Sequence, residues 1–192
     1  MAHHYGFGFT SNPEVMFDPT ALSEIAGIAP EGMLVRPLER NDYDKGFLGV
    51  LAQLTSVGEI NREKFVDRFD SMRNTCPKSY YVVVVEDKES HTIAGAATLV
   101  VEWKFIHQAG CRGRVEDVVV DQSKRGLKLG AVLNKVLVHL AKKVGVYKLS
   151  LECKDSLIPF YELYGFKKDV GNNFLVQRFD NADIVTIPSS NL

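Results

Sequence analysis

Cysteine is scarce in this chain, with three residues at positions 76, 111 and 153. An odd number, at spacings that match no metal or disulfide pattern, reads as reduced thiols and predicts a cytoplasmic protein. An excess of either charge is lacking too. The 23 basic residues face 24 acidic ones, for a net charge of -1, which excludes a broad basic field and with it nucleic acid as the partner. Apolar runs stop short of the ~18 residues that suggest a transmembrane segment, and the first residues show no apolar leader. Two familiar nucleotide cradles are missing. No G-x-x-x-x-G-K-[ST] string occurs, and no G-x-G-x-x-G follows an early strand. The adjacent His3 and His4 are the nearest thing to a metal pair, and terminal histidines of this kind are most often unstructured. No metal site is expected.

What is present is enough apolar material for one core: 45% of 192 residues, too few for two ordinary domains. Residues 1–32 mix Gly, Pro, Asn and Ser with scattered aromatics. They are expected to form a loosely structured extension with a short helix near 19–25. Residues 33–180 form the expected domain, and 181–192 a tail. Within the domain the patterning predicts strands at 33–39, 80–87, 92–105, 115–120, 147–153 and 174–180. Helices are expected at 42–55, capped by Asn41 or Asp42, and at 60–75 and 156–165. The clearest helix starts at Leu129, where apolar residues recur at 132, 133, 136, 137, 140, 141 and 144, a stripe of 3.6-residue period. A polar, glycine-bearing loop is expected at 105–114. This order predicts an α/β or α+β mixed sheet with helices on its faces.

The stretch Glu116–Gly130, EDVVVDQSKRGLKLG, joins a strand to that long helix. The first N–H groups of a helix have no partners within it, and the helix dipole adds positive charge there. Arg125 and Lys128 add more. Such a turn suits an anion, phosphate or pyrophosphate. On glycine spacing alone an ordinary strand–helix turn with solvated basic residues is the commoner outcome.

The string VVVDQSKRGLKLGAVL resembles the acetyl-CoA loop of the GNAT acetyltransferases, and SLIPFYELYGF resembles their tyrosine-bearing helix. Together with LTSVG at 54–58, WKFIHQAG at 103–110 and VYKLSLEC at 146–153, these pieces are similar, in order, to the glucosamine-6-phosphate N-acetyltransferase branch. The likeness spans about 33–180. It implies the GNAT acyl-CoA N-acyltransferase fold, with a central, mostly antiparallel twisted sheet flanked by helices. It also implies acetyl transfer from acetyl-CoA to the 2-amine of glucosamine 6-phosphate, a step toward UDP-N-acetylglucosamine, with no metal and no acyl-enzyme. A homodimer with exchanged C-terminal strands is implied as well.

Carried onto this chain, the resemblance assigns Val118, Val119 and Val120 to the pantetheine arm by backbone hydrogen bonds. Arg125, Gly126, Leu127, Lys128, Leu129, Gly130 and Ala131 fall to the pyrophosphate. Lys128 stands where the family has Gly, and as a helical residue it would not need to be one. Leu157 stands where relatives commonly carry Asn. Tyr161 becomes the acid that protonates the departing thiolate; on spacing alone it would be a core tyrosine beside Phe160 and Tyr164. Glu116 and Asp117 are assigned to sugar hydroxyl or amine recognition, with Glu116 also accepting the amine proton, directly or through water. They share one face only if the strand is bulged; the plain alternative is that one acid pairs with a nearby Arg. Glu152 lies near the reacting centre and the cofactor. Lys104, His107, Lys148 and Arg178 are the candidate phosphate cations. Thr55, Phe105, Ile106 and Tyr147 complete the sugar site, with Tyr147 and Lys148 reaching a neighbouring subunit. Two rival readings stand beside this one: a GNAT enzyme of protein or peptide amines, and a non-catalytic acetyl-CoA sensor.

Overall fold

The computed structural model describes residues 8–179. Five strands form one sheet in the order β1-β2-β3-β4-β5: β1 (Met33–Pro37), β2 (Tyr80–Asp87), β3 (Ile93–Trp103), β4 (Cys111–Val120) and β5 (Lys148–Ser150). The first four pair antiparallel, and β5 joins β4 in parallel. The helical segments are α1 (Phe47–Leu51), α2 (Arg62–Arg73), a single turn α3 (Ile106–Ala109), α4 (Leu129–Val144) and α5 (Ile158–Glu162). This is the mixed sheet with flanking helices expected from the alternation of the two hydrophobic periods.

The valine run of β2 is buried from Tyr81 to Asp87, as befits a strand covered on both faces. The stripe of α4 buries Leu129, Val132, Leu133, Val136, Leu137, Leu140, Ala141 and Val144. Gly113 sits inside β4 because a Cβ there would lie 2.8 Å from Leu149 Cδ1 and 3.1 Å from Leu99 Cδ1. That close approach explains why a segment read as a glycine loop is strand from Cys111 onward.

Other boundaries move for identifiable reasons. The helix expected at 42–55 is split into a 3-10 turn (Arg40–Tyr43) and α1, separated by Gly46 at φ +84°. Asp42 is not an ordinary N-cap. It accepts two bonds from Arg36, at 2.7 and 2.8 Å, and one from the Glu39 N–H at 2.7 Å. Arg36 also donates to Glu86 at 2.7 Å, so a buried ion network ties β1 to β2. The short helix expected at 156–165 is a 3-10 turn (Asp155–Leu157) followed by α5.

Two larger corrections concern the chain's flanks. The loose N-terminal extension is not loose over its second half. Met16 and Phe17 are fully buried, Phe17 packs 5.2 Å from the Tyr81 ring, and Val15 bridges to Glu39. A 3-10 helix follows at Pro19–Ile28, with Ala21 O 3.3 Å from His139 Nε2 of α4. Arg73, at the end of α2, donates to the carbonyls of Thr10, Asn12 and Val15 at 2.9, 3.0 and 3.2 Å. The strand expected at 174–180 does not form over 174–179, where Phe174, Leu175, Val176 and Phe179 are exposed. Asp180, the tail at 181–192 and the His3–His4 pair lie outside the described residues.

Candidate active site

The sheet opens where β4 and β5 part. Their pairing has three register pairs and ends at Arg114 and Ser150. Beyond Arg114, β4 continues to Val120 against β3 alone among the described strands. The register on that side slips between Ala96 and Thr98, so Asp117 and Val118 together oppose Ala97, and Asp117 takes φ +53°. This is the bulge needed to bring consecutive acids toward one face. Val118 and Val120 stay partly exposed on the strand edge, and Val119 is buried.

The turn after β4 is built on its own hydrogen bonds. Asp121 caps the Gln122–Lys124 turn by accepting from the Ser123 N–H at 2.8 Å. Gln53, just past α1, donates to Asp121 Oδ2 and accepts from the Gln122 N–H, both at 2.8 Å. Lys124 forms an ion pair with Asp87 at the end of β2. Residues 125–128 then run exposed into α4, whose first turn carries no acidic residue and whose N-cap makes no side-chain hydrogen bond. Open amides, a helix dipole and no competing carboxylate suit an anion. Lys128 needs correcting. It is not a helical residue but the N-cap itself, at φ +58° and ψ +25°. That is the left-handed conformation glycine adopts freely, so the position does have a use for Gly.

α5 delivers Tyr161 into the interior, 9% exposed, with its ring 5.1 Å from Phe160 and 6.0 Å from Phe166. Burial, and then the nearby Cys153, push its phenol pKa up. The group therefore holds its proton at neutral pH, as a proton donor must. Leu157 lies in the exposed turn just before α5.

Sequence reasoning missed how the acids are held. Arg114 donates from Nε to Glu116 Oε1 at 2.8 Å and from Nη2 to Glu152 Oε1 at 2.6 Å. One guanidinium thus joins both catalytic candidates, and these bonds push its own pKa up. The available signal was the alternation of Arg112, Arg114 and Glu116 along one face of β4. Asp117, next along, has its carboxyl pushed up by desolvation and by the charge of Glu116.

The four cations expected to hold a phosphate are not gathered by their contacts. Lys104 pairs with Glu102 at 2.6 Å, and Glu102 also accepts from Arg112 at 3.1 Å. Lys148 pairs with Asp169 at 3.5 Å. His107 stacks on Tyr147, with ring centroids 4.0 Å apart. Arg178 lies on the exposed segment that forms no strand. Phe105 and Ile106 project outward at the start of α3, and Thr55 is exposed beyond α1. α3 is a left-handed turn: His107, Gln108 and Ala109 have φ between +52° and +59°. Three such residues in succession are strained, the kind of backbone that collects at functional sites. Among the described residues no His, Cys, Asp and Glu cluster could hold a metal.

Residues 50–166 match the acetyltransferase (GNAT) family. A probable glucosamine 6-phosphate N-acetyltransferase of Drosophila melanogaster is 48% identical over 151 residues, 78% of this chain and 68% of that protein. Glucosamine 6-phosphate N-acetyltransferase 1 of Oryza sativa is 39% identical over 77% of this chain and 90% of its own length. The crystal structure of the Arabidopsis thaliana glucosamine-6-phosphate N-acetyltransferase superposes with a TM-score of 0.74. It is 34% identical and covers 78% of this chain and 100% of that one.

Proposed function

The chain belongs to the acetyltransferase (GNAT) family, and on that premise we propose that it transfers the acetyl group of acetyl-CoA to the 2-amine of glucosamine 6-phosphate. The products are N-acetylglucosamine 6-phosphate and CoA. The observation that carries the substrate is the shared name of relatives 39% and 48% identical across three-quarters of the chain.

The residues suit direct transfer. The edge of Val118–Val120 offers backbone groups to the pantetheine arm, and the turn 125–131 offers the diphosphate its amides between 126 and 130, since the Arg125 and Ala131 N–H groups donate to Gln122 O and Lys128 O. The amine nitrogen attacks the thioester carbonyl while Glu116, or a water beside it, takes the proton the nitrogen loses. As the tetrahedral adduct collapses, the C–S bond breaks and the sulfur leaves with the proton of Tyr161. Glu116 and Glu152 also stabilise positive charge growing at nitrogen. Thr55, Lys104, His107, Lys148 and Arg178 are assigned to the sugar phosphate. Lys104 and Lys148 must then exchange their carboxylate partners for the phosphate when it arrives.

The site is completed, in this reading, by a second copy. β5 is the last strand of the sheet and its outer edge is unpaired among the described strands. The apolar, exposed 174–179 segment has the composition to add there as a strand from a partner chain. No helix of the described residues is long and apolar enough to cross a membrane.

The test is release of CoA thiol across amino sugars with and without a 6-phosphate, and across peptide amines. Turnover is expected with glucosamine 6-phosphate. Equal turnover of peptide amines, or binding of acetyl-CoA with no turnover of any amine, would replace this reading. Tyr161→Phe is expected to lower kcat by about 10²-fold or more with little change in the KM for acetyl-CoA. A wild-type rate would remove the acid role from Tyr161.

A further inference from the structure

We propose that Arg114 is a positioning residue of the acetyl-transfer site: its guanidinium holds Glu116 and Glu152 in one arrangement across the fork between β4 and β5. The inference rests on the reading of those two acids as the groups that meet the acceptor amine.

Arg114 is the last residue of β4 to be paired with β5, opposite Ser150. At that point the main-chain ladder ends and the strands part. The side chain continues the connection, with Nε on Glu116 of its own strand and Nη2 on Glu152, 38 positions away, just past β5. Each acid gives one oxygen, Oε1, to the guanidinium, which leaves each Oε2 for another partner. The three groups sum to one negative charge, two carboxylates against one guanidinium. That balance favours a cationic or developing-cationic nitrogen over an anion. All three side chains are reachable, at 28%, 39% and 38% exposure.

Removing the guanidinium would leave two like charges facing each other with nothing to fix their rotamers. Glu carries substantial side-chain entropy, and a small misplacement of a reacting group can cost about 10²-fold in rate. Lysine is a poor replacement. Its ammonium is a compact point charge, while the planar fork of Arg reaches two carboxylates at once with little further ordering. Nor is Arg114 simply a surface ion pair. It bonds two acids that enter from different elements, and it sits where the main chain stops joining them.

The experiment compares Arg114→Met, Arg114→Lys and Arg114→Ala with the wild type in steady-state kinetics, using full-length protein. Arg114→Met and Arg114→Lys are expected to lose about 10- to 100-fold in kcat, with the KM for acetyl-CoA unchanged. Added guanidinium ion is expected to restore part of the rate of Arg114→Ala and none of that of Arg114→Met, whose side chain fills the space. In Glu116→Gln or Glu152→Gln backgrounds, loss of the guanidinium should cost much less than in the wild type, because residues acting as a unit are not additive. Rates within twofold of wild type for both Arg114→Met and Arg114→Lys would overturn the proposal. So would losses confined to the KM for acetyl-CoA, or strict additivity with the Glu variants. If Arg114→Met fails to fold, the Lys variant and the rescue of the Ala variant decide. Should Glu116→Gln and Glu152→Gln both turn over at the wild-type rate, the reading of the acids fails. Should they be impaired while Arg114 variants are not, only the positioning role fails.

Discussion

Lys128 holds φ +58° at the N-cap of α4, a conformation that costs an L-residue about 1–2 kcal/mol. Glycine avoids that strain but returns about 0.5–1 kcal/mol through its greater freedom in the unfolded chain. Lys128→Gly is therefore expected to raise stability by roughly 0.5–1 kcal/mol, read as a higher denaturant midpoint at unchanged m-value. An unchanged or lower midpoint would mean that the Lys side chain makes contacts worth the strain. This residue also marks a limit of sequence reading. The apolar spacing starts the helix at Leu129, yet comparison with the family pattern reads Lys128 as helical; that single step changes a tolerant position into a strained one. The Arg114 bridge was hidden for a different reason. Its reach to Glu152 depends on the β4–β5 register, which no local pattern encodes, whereas Glu116, Glu152 and Tyr161 could each be picked out from motif likeness.

At the scale of elements, strongly periodic segments were legible. The stripe of α4 and the valine run of β2 appear where the pattern put them, because burial on one stripe or on both faces leaves few alternatives. Elements that depend on partners were not. The 174–179 segment has strand composition but pairs with no strand among the described residues, and β4 begins earlier than expected, through Gly113, where a Cβ would crowd Leu149. One ion pair joins elements in a way that pH can probe. Lys124, and then the N–H groups of Glu89 and Ser90, hold the Asp87 carboxyl from its ordinary 3.8 down to about 2. A depressed folded pKa contributes stability that is fully present above the ordinary value and is lost as pH falls toward 2. The stability difference between wild type and Asp87→Asn should thus be constant above about pH 5 and shrink steadily between pH 4 and 2. A gap of the same size at pH 2 would show that the pair contributes through packing alone. The same pair links the end of β2 to the turn that leads into residues 125–131, so the loop read as the diphosphate cradle is tied to the sheet edge.

For the whole molecule, the proposed second copy would pair the exposed apolar segment at 174–179 with the open edge of β5. Sedimentation equilibrium is expected to give twice the 21.4 kDa of one chain. A variant ending at residue 172 should sediment as a monomer and lose turnover. A full-length monomer with full activity would exclude a site shared between copies. The other flank carries a consequence for synthesis. Residues 8–28 are synthesised before the groups that seat them, Arg73, Tyr81 and His139. Until those residues have emerged from the ribosome the segment lacks a complete seat. It must wait until α4 has emerged, and then close over strands β1 to β4 as a late latch on a body largely built.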